Sequence, residues 1–159
     1  MHHEVAVDTA IMRTMGVAPS PTAGVSVIEH GGRRYAHIIR ASATVPISTF
    51  FSEPGESFQF GLLAHEAGFV EAPHTHPTVE RRIKDLQQLV VVQRGRIEVV
   101  FHEDSGARLS SVELGPGDAI VIMHGAHSVR VIEDMQCVSV KQGPFLGAAN
   151  DKTPLGAHR

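Results

Sequence analysis

The length, composition and charge of this chain narrow the classes of protein it can belong to. Its 159 residues suffice for about one domain with a single core, and 42% hydrophobic with 19% charged residues is an ordinary globular composition. A formal net charge of −3 argues against nucleic-acid binding. No apolar run reaches the roughly 20 residues of a membrane-spanning helix. We therefore expect neither a nucleic acid nor a membrane as a partner.

The two ends of the chain differ from its middle. Residues 1–23 combine a helix-capable piece, Asp8–Met15, with the stretch GVAPSPTAG and are interpreted as an N-terminal arm and linker. No secretion signal is visible there, and the single Cys137 cannot form an internal disulfide, so a cytoplasmic location is expected. Residues 24–145 are predicted to form the folded domain, and residues 146–159 a C-terminal tail.

Short β-branched or alternating segments recur along residues 24–145, divided by turn residues. This rhythm is typical of a β-sandwich or barrel, and it predicts an all-β, single-domain antiparallel fold. The predicted strands are Val25–Glu29, Arg34–Ala41, Ser57–His65, Gln87–Gln93, Arg96–Glu103, Arg108–Leu114, Ala119–Met123, Ser128–Glu133 and Gln136–Lys141.

Three short glycine-containing stretches predict the turns between these strands. Gly95 separates two β-like runs and favours a hairpin with a residue at positive φ. The stretches EDSG at 103–106 and GPGD at 115–118 favour two further turns. An antiparallel β domain of this size can have sheet edges through which copies pair, so a homodimer is expected.

Two histidines one residue apart, His74 and His76, form the most informative local pattern. Residues i and i+2 of an extended segment face the same side, so both imidazoles are expected to project together, and two imidazoles on one side can share a cation. The same periodicity places Gln88 on one face with Val90 and Val92. It also places His127 on one face with Val129 and Val131.

Two motifs in order give the chain a resemblance to a known family. Gly68, His74-x-His76, Gln88 and Gly95 resemble the first motif of the cupin superfamily. The stretch GPGDAIVIMHGAHSVRV at 115–131 resembles the second motif. The resemblance implies a double-stranded β-helix, the cupin jelly-roll barrel. The stretch from Val131 onwards also resembles a small cupin group associated with bacterial polysaccharide genes.

The cupin resemblance implies a metal site built from His74, His76 and His127. Cupins usually supply a glutamate as fourth ligand, but Gln88 stands at the position seven residues before the glycine. We favour Gln88, with Glu80 or no fourth protein ligand as the alternatives. The proline of the second motif is replaced in IMHGAH, so His124 could compete with His127, although it fits a turn on the rim better.

The predicted ligands suggest what such a site would do. Three imidazoles suit one divalent transition metal per chain, namely Fe, Ni, Mn, Zn or Cu. Because a neutral amide would replace the usual carboxylate, the ion would keep its full charge and attract an anionic molecule more strongly. Further substrate contacts are predicted from Gln59, Arg82 and Lys84. The general base is not evident from the sequence, and His102, His65 and Glu98 are its candidates.

Three functions remain open. The first is a metal-dependent cupin enzyme acting on a small polar or anionic molecule, such as a sugar derivative, by oxygenase or isomerase/lyase chemistry. The second is a metal-containing binding or sensing module without turnover. The third is a metal-free sugar epimerase or isomerase with a histidine base and a tyrosine acid. The third ranks last because Tyr35, the only tyrosine, is expected to lie far from both motifs.

Overall fold

The computed structural model describes residues 22–155. Contacts within the chain divide these residues into two compact units. The first, called here the loop unit, contains residues 44–83. The second, called here the sheet unit, contains residues 24–43 and 84–155. The predicted helix Asp8–Met15, with the rest of residues 1–21 of the predicted arm, lies outside the described residues.

The described residues form an all-β structure with a single short helix. The strands of the sheet unit are β1 (Val25–His30), β2 (Arg33–Ile39), β5 (Gln88–His102), β6 (Arg108–Leu114), β7 (Ala119–Ile122) and β8 (Ala126–Lys141). The loop unit contains β3 (Thr49–Phe50) and β4 (Gly61–Leu62), which pair with each other, and helix α1 (Ala148–Asp151) follows β8. No helix among residues 22–155 is long and apolar enough to cross a membrane.

The six strands of the sheet unit form one curled, half-barrel antiparallel sheet. Strands β1, β2, β7, β5 and β6 are neighbours in that order, and β8 also pairs with β5. Residues 88–91 of β5 pair with both β7 and β8, and residues 97–102 pair with both β6 and β8. Strand β8 therefore runs along one side of β5, and β7 and β6 share the other. This architecture is compatible with a jelly roll.

The hairpin predicted at Gly95 is wrong. The two strands predicted on either side of Gly95 are one continuous strand, β5, and those predicted between Ser128 and Lys141 are likewise one strand, β8. Gly95 has a φ of 76°, and a Cβ there would lie 2.2 Å from the carbonyl oxygen of Asp134. Gly95 therefore lets β8 approach β5 closely, where the register of the pair shifts, and does not reverse the chain.

The turns predicted at 103–106 and 115–118 are confirmed. In the second, the Asp118 carboxylate accepts hydrogen bonds from the backbone N–H of Gly115 and of Ala41, and from the Arg40 guanidinium at 2.9 Å. Burial raises the pKa of Asp118, but these hydrogen bonds and the charge of Arg40 outweigh it and hold the pKa below its usual value. Asp118 thereby fastens the turn before β7 to the end of β2.

The main core lies on one face of the sheet, called here the core face. Directly opposed residues of antiparallel strands share a face, so the pairs Val90 with Ile120 and Ile97 with Leu114 identify it. The buried residues of this core are Ala36, Ile38, Val90, Val92, Ile97, Val99, Phe101, Leu114, Ile120 and Ile122. Burying these apolar side chains is the main stabilisation of the sheet unit. Cys137 packs, half-buried, against the same core.

The loop unit has much less regular structure. Of the predicted strand Ser57–His65, only Gly61 and Leu62 pair as a strand, so most of that prediction is wrong. A Cβ at Gly61 would lie 2.2 Å from the carbonyl oxygen of Thr49, so only glycine allows β3 and β4 to come this close. From Leu63 to Ile83 the chain contains no strand and is almost entirely exposed. This long loop carries both residues of the His74-x-His76 pair.

Candidate functional site

A pocket of about 240 Å³ lies within the sheet unit. It is bounded by the segment that precedes β5, the end of β7, the β7–β8 turn and the start of β8. Its polar lining comes from Lys84, Asp85, His124 and His127. One lysine, two histidines and one carboxylate thus line an open pocket slightly smaller than most ligand pockets.

The β7–β8 turn is fixed in place by Tyr35 of β2. The backbone N–H groups of Met123 and His124 both donate to the Tyr35 carbonyl oxygen, at 2.8 and 3.3 Å. The Tyr35 ring covers Gly125, where a Cβ would lie 2.3 Å from a ring carbon and where φ is 80°. A larger residue at 125 would push this contact apart, so the glycine sets the position of both neighbouring histidines.

The expectation that Tyr35 lies far from both motifs is therefore wrong. Its ring packs edge-on against Phe101 at a centroid distance of 6.1 Å, beside the second motif. Pairing of β2 with β7 explains this placement, because Ala36 pairs with Ile122 and so brings Tyr35 beside the end of β7 and the turn that follows it. Separation along the chain gave no indication of it.

His127 lies on the core face at the start of β8. It stands opposite Phe101 in the β5–β8 pairing, and the two rings are 6.3 Å apart between centroids. Its Nδ1 lies 3.4 Å from the carbonyl oxygen of Gly125. A carbonyl oxygen can only accept, so this contact favours a proton on Nδ1 and leaves the Nε2 lone pair available to a metal ion or a proton.

Gln88 begins β5 and faces the same side of the sheet as Val90 and Val92. Its pairing partner on β7 is Ile122, which lines the pocket. The side-chain Nε2 donates to the Ser139 hydroxyl at 2.9 Å. This hydrogen bond turns the amide so that its oxygen, the atom that could ligate a cation, is not the one engaged with Ser139.

His74 and His76 lie in the long loop of the loop unit, not in a strand. Their rings nevertheless lie close together, with a centroid distance of 5.1 Å and an interplanar angle of 85°. Nδ1 of His74 donates to the Ala72 carbonyl oxygen at 3.1 Å and lies 3.7 Å from a carboxylate oxygen of Glu71. Both neighbours accept, so Nε2 of His74 is left as the free nitrogen, which is the arrangement common among metal-binding histidines.

The four predicted metal ligands are thus divided between the two units. His74 and His76 belong to the loop unit, and Gln88 and His127 to the sheet unit. Their convergence on one ion stays a prediction from the sequence. Among residues 22–155, no group of three or more His, Cys, Asp or Glu side chains is arranged to hold a metal ion.

Glu80 and Arg82, the alternative ligand and a predicted substrate contact, interact with each other. The Arg82 guanidinium lies 3.4 Å from the Glu80 carboxylate, and both side chains are largely exposed. Lys84, the other predicted cationic contact, lines the pocket of the sheet unit. The two basic residues therefore occupy different surroundings.

Gln59 has its side chain engaged within the loop unit. Its oxygen accepts from the Ser52 hydroxyl at 3.2 Å, and its nitrogen donates to the carbonyl oxygens of Glu53 and Glu56. These contacts hold the turn between β3 and β4. They favour a structural role for Gln59 over the predicted contact with substrate.

His65, a candidate general base, is also in the loop unit. Its ring stacks on Phe69 with a centroid distance of 3.9 Å, and its Nε2 lies 3.5 Å from the Ser48 hydroxyl. The Ser48 hydroxyl is also bonded to the backbone of Ala64. His65 therefore belongs to the packing of β4 and the residues that follow it.

His102 and Glu98 lie on the face of β5 opposite the core face. Nδ1 of His102 is 3.3 Å from the Gly106 carbonyl oxygen, and its Nε2 is 3.0 Å from the Ser128 hydroxyl. A carbonyl can only accept, so Nε2 accepts the hydroxyl proton of Ser128. His102 thereby joins β5 to β8 next to the 103–106 turn.

The Glu98 carboxylate is held between two arginines from neighbouring strands. Arg108 approaches one of its oxygens at 2.7 Å and Arg130 the other at 2.9 Å. Hydrogen bonds from Ser111 and Arg130, followed by the charges of both arginines, hold the pKa of Glu98 below its usual value despite partial burial. A carboxylate stabilised in its charged form is a weak proton acceptor, so this environment favours a structural role.

Two residues of the pocket are not predicted by the sequence. No pattern selects Asp85, and the pattern around His124 favours only a place on the rim of a turn. Asp85 follows Lys84 directly, in a polar segment that precedes an apolar strand, and this is the only signal the sequence offers. His124 becomes a lining residue because the Tyr35 carbonyl fixes the turn that contains it.

No protein-family model, curated protein or solved structure matches this chain. The resemblance to cupins therefore rests on the two sequence motifs and on a sheet compatible with a jelly roll.

Proposed function

We propose that this protein is a metal-dependent, cupin-like protein with a jelly-roll barrel, acting on a small polar or anionic molecule by oxygenase or isomerase/lyase chemistry. The observation that carries the proposal is the pocket of about 240 Å³ in which Lys84, Asp85, His124 and His127 meet. It joins a predicted metal ligand, His127, to a predicted substrate contact, Lys84, in one space. A sugar derivative with an acidic group would suit its size and its lysine.

The donor atoms support a divalent transition metal as the cofactor. His74 and His127 each place Nδ1 near a backbone carbonyl oxygen and keep Nε2 free, and the Gln88 amide nitrogen is engaged by Ser139. Neutral imidazole Nε2 atoms and a carbonyl-type oxygen suit Fe, Ni, Mn, Zn or Cu. His74, His76, His127 and Gln88 are the residues proposed to hold it, and such an ion would supply Lewis-acid or oxygen chemistry.

The chain's own residues would bind and orient the molecule. The Lys84 ammonium group would attract and position an acidic group at one side of the pocket. His124 lines the same space and could accept or donate a proton through an imidazole nitrogen. Asp85 would add an oxygen acceptor for a hydroxyl group of the ligand. In this scheme Lys84 selects the ligand, and His124 is the first residue to test for proton transfer.

Metal content and activity test the proposal together. Protein purified without added metal should hold near one equivalent of a first-row metal by plasma mass spectrometry, and His76→Ala should lose it while His30→Ala, an exposed histidine on β1, retains it. Oxygen uptake and carbonyl-proton exchange are then screened with sugar acids, comparing wild type with Lys84→Gln and with Lys152→Gln as the control. Absence of metal in the wild type, even after reconstitution, would refute the proposal.

The screen also separates catalysis from plain binding. Stoichiometric metal with ligand binding but no turnover would favour the binding or sensing module. In that case Lys84→Gln would weaken ligand binding and the metal content would be unchanged.

One observation favours the metal-free epimerase as a second candidate. Tyr35, its only possible tyrosine acid, supports the turn that carries His124, within the same unit as the pocket. Proton exchange in a metal-stripped protein, abolished both by Tyr35→Phe and by His124→Gln, would establish this alternative. Activity that disappears on chelation and returns with metal would exclude it.

A further inference from the structure

Strand β8 is largely exposed although it pairs with β5 along most of its length. None of its sixteen residues is buried. Five of them are branched aliphatic residues that remain 37–52% exposed: Val129, Val131, Ile132, Val138 and Val140. Among the described residues, β8 pairs only with β5, so its outer side offers main-chain donors and acceptors to another strand.

The outer side of β8 lacks most of the features that protect sheet edges. Natural edge strands are usually short or carry lysines and prolines that discourage pairing. Strand β8 is long, contains no proline, and has a single lysine at its last position, Lys141. By contrast β1, at the far edge of the same sheet, has six residues. The register shifts opposite Gly95 are the only irregularity along β8.

We propose that β8 of one copy pairs antiparallel with β8 of a second copy about a twofold axis near Ile132. The chemistry of the edge indicates which partner strand would pair with it. Another extended strand can form hydrogen bonds with the main-chain groups of an edge strand, and a second β8 also presents the same exposed aliphatic side chains. With the axis near Ile132, Ile132 meets Ile132 and Val129 meets Met135 of the other copy, in one self-complementary interface.

The charges of β8 select this register. Arg130 is positive, and Glu133 and Asp134 are negative. An axis near Ile132 places Arg130 of each copy opposite Asp134 of the other, with Glu133 next to it. An axis at the middle of the strand would instead place Glu133 opposite Asp134, and like charges directly opposed are destabilising.

The proposed interface has room for the Arg130 contact. The Arg130 side chain is 66% exposed while it holds Glu98, so part of the guanidinium is accessible from outside. Pairing would also immobilise the strand that begins with Ala126 and His127. This inference concerns assembly and does not depend on metal binding or on turnover. The dimer proposal and the proposed function can therefore be refuted independently of each other.

Sedimentation velocity of the full chain over a concentration series tests the proposal. The wild type should be a dimer, and Ile132→Lys should shift it towards monomer with at least a tenfold weaker association, because a lysine would face its copy across the axis. Val27→Lys, at a 43% exposed position on β1, is the matched control and should remain dimeric. Circular dichroism of both variants verifies that they fold.

Two further variants test the register. Asp134→Arg should weaken association about tenfold, while Asp104→Arg, in an exposed turn, should not. In a Cys137→Ala background, Ile132→Cys should form a covalent dimer on mild oxidation, because residues on a twofold axis between strands lie within disulfide reach. Val27→Cys in the same background should remain a monomer on denaturing gels.

Three results would overturn the proposal. The first is a monomeric wild type at every concentration. The second is a dimer that Ile132→Lys leaves intact and that Ile132→Cys fails to cross-link, which would place the contact elsewhere. The third is a monomer in which the β8 amides resist hydrogen exchange, which would mean that another segment of the same chain, such as residues 1–21, covers the edge.

Discussion

Strands β5 and β8 are neighbours of almost equal length, fifteen and sixteen residues, and they differ sharply in burial. Val99 and Val129 stand directly opposite each other on the core face, yet Val99 is 1% exposed and Val129 is 50% exposed. The difference follows from position in the sheet: β5 has neighbours on both sides, whereas within residues 22–155 β8 pairs on one side only. An alternating apolar pattern therefore identifies the face of a strand but not whether the strand is central.

The same contrast has a functional side. The central strand supplies the rigid support, and the exposed strand carries His127 at its start, next to the pocket. A ligand at the pocket would contact the more exposed of the two strands. Under the proposed function, β8 would carry a residue of the site and β5 would supply the packing beneath it.

The largest expected effect on stability comes from Gly95→Ala, which would disrupt the close contact between β5 and β8. The new Cβ would meet the Asp134 carbonyl at 2.2 Å, and φ of 76° is strained for alanine. Overpacking and backbone strain together should cost about 3 kcal/mol of unfolding free energy, measured by urea denaturation. Gly31 has a φ of 57° and open space around it, so Gly31→Ala measures the cost of backbone strain without overpacking. This variant should lose about 1 kcal/mol of unfolding free energy. Equal costs for the two variants would mean that β8 does not press against Gly95.

The second effect is on pH dependence and concerns His37, a buried histidine on β2. Burial, followed by the charge of Arg34, lowers the pKa of His37 from 6.5 to about 4. Below pH 6.5 the unfolded chain therefore binds a proton at His37 that the folded chain does not bind. The free energy of unfolding should have its full value above pH 6.5 and fall as the pH drops towards 4. Protonation of His37 in the unfolded chain should lower the free energy of unfolding by at most about 3 kcal/mol.

Urea denaturation at several pH values measures this slope. His37→Gln should flatten it between pH 6.5 and 4, whereas His30→Gln, on exposed β1, should keep the wild-type slope. A wild-type slope that His37→Gln leaves unchanged would assign the acid sensitivity to other groups.

The third effect compares the two opposed valines. Val99→Ala removes buried methyl groups and should destabilise the protein by about 2 kcal/mol. Val129→Ala, on the same face of the neighbouring strand, should cost less than about 0.5 kcal/mol in the monomer, since its side chain is half exposed already. Similar losses for both would show that β8 is covered in solution, and repeating the pair at low and high protein concentration tells whether a second copy provides the cover.

The smallest effect is expected at the surface ion pair between the strands. The Arg96 guanidinium lies 3.3 Å from the Glu133 carboxylate, and both side chains are about half exposed. Arg96→Ala should change stability by less than about 0.5 kcal/mol, and less still at high salt. A larger loss would show that the pair is shielded from water, contrary to the exposed character of β8.

Part of this structure follows from the sequence and part does not. The β-rich class, the turns at 103–106 and 115–118 and four of the sheet strands are predictable, because alternation and turn residues act locally. The function of Gly95 is not, because positive φ suits a hairpin and a close strand contact equally well. The distinction depends on Asp134, which is distant in the chain.

The candidate site shows the same limit. Residue type and spacing predict His127 and Lys84 as site residues, and both line one pocket, while their roles stay predictions. The positions of Tyr35 and His124 are not predictable, because their proximity depends on the pairing of β2 with β7, two strands that are far apart in the chain. Gln59 and Glu98 are candidate site residues on chemical type alone, but their side chains are engaged by neighbours that the sequence does not place beside them.

The most direct test of the account is the number of histidine ligands on a bound metal. Protein loaded with one equivalent of Zn²⁺ is measured by X-ray absorption spectroscopy, beside His74→Ala and His127→Ala. The account predicts three imidazole nitrogens with oxygen ligands in the wild type, and one imidazole fewer in each variant. A coordination shell without imidazole, or one that neither variant changes, would contradict it.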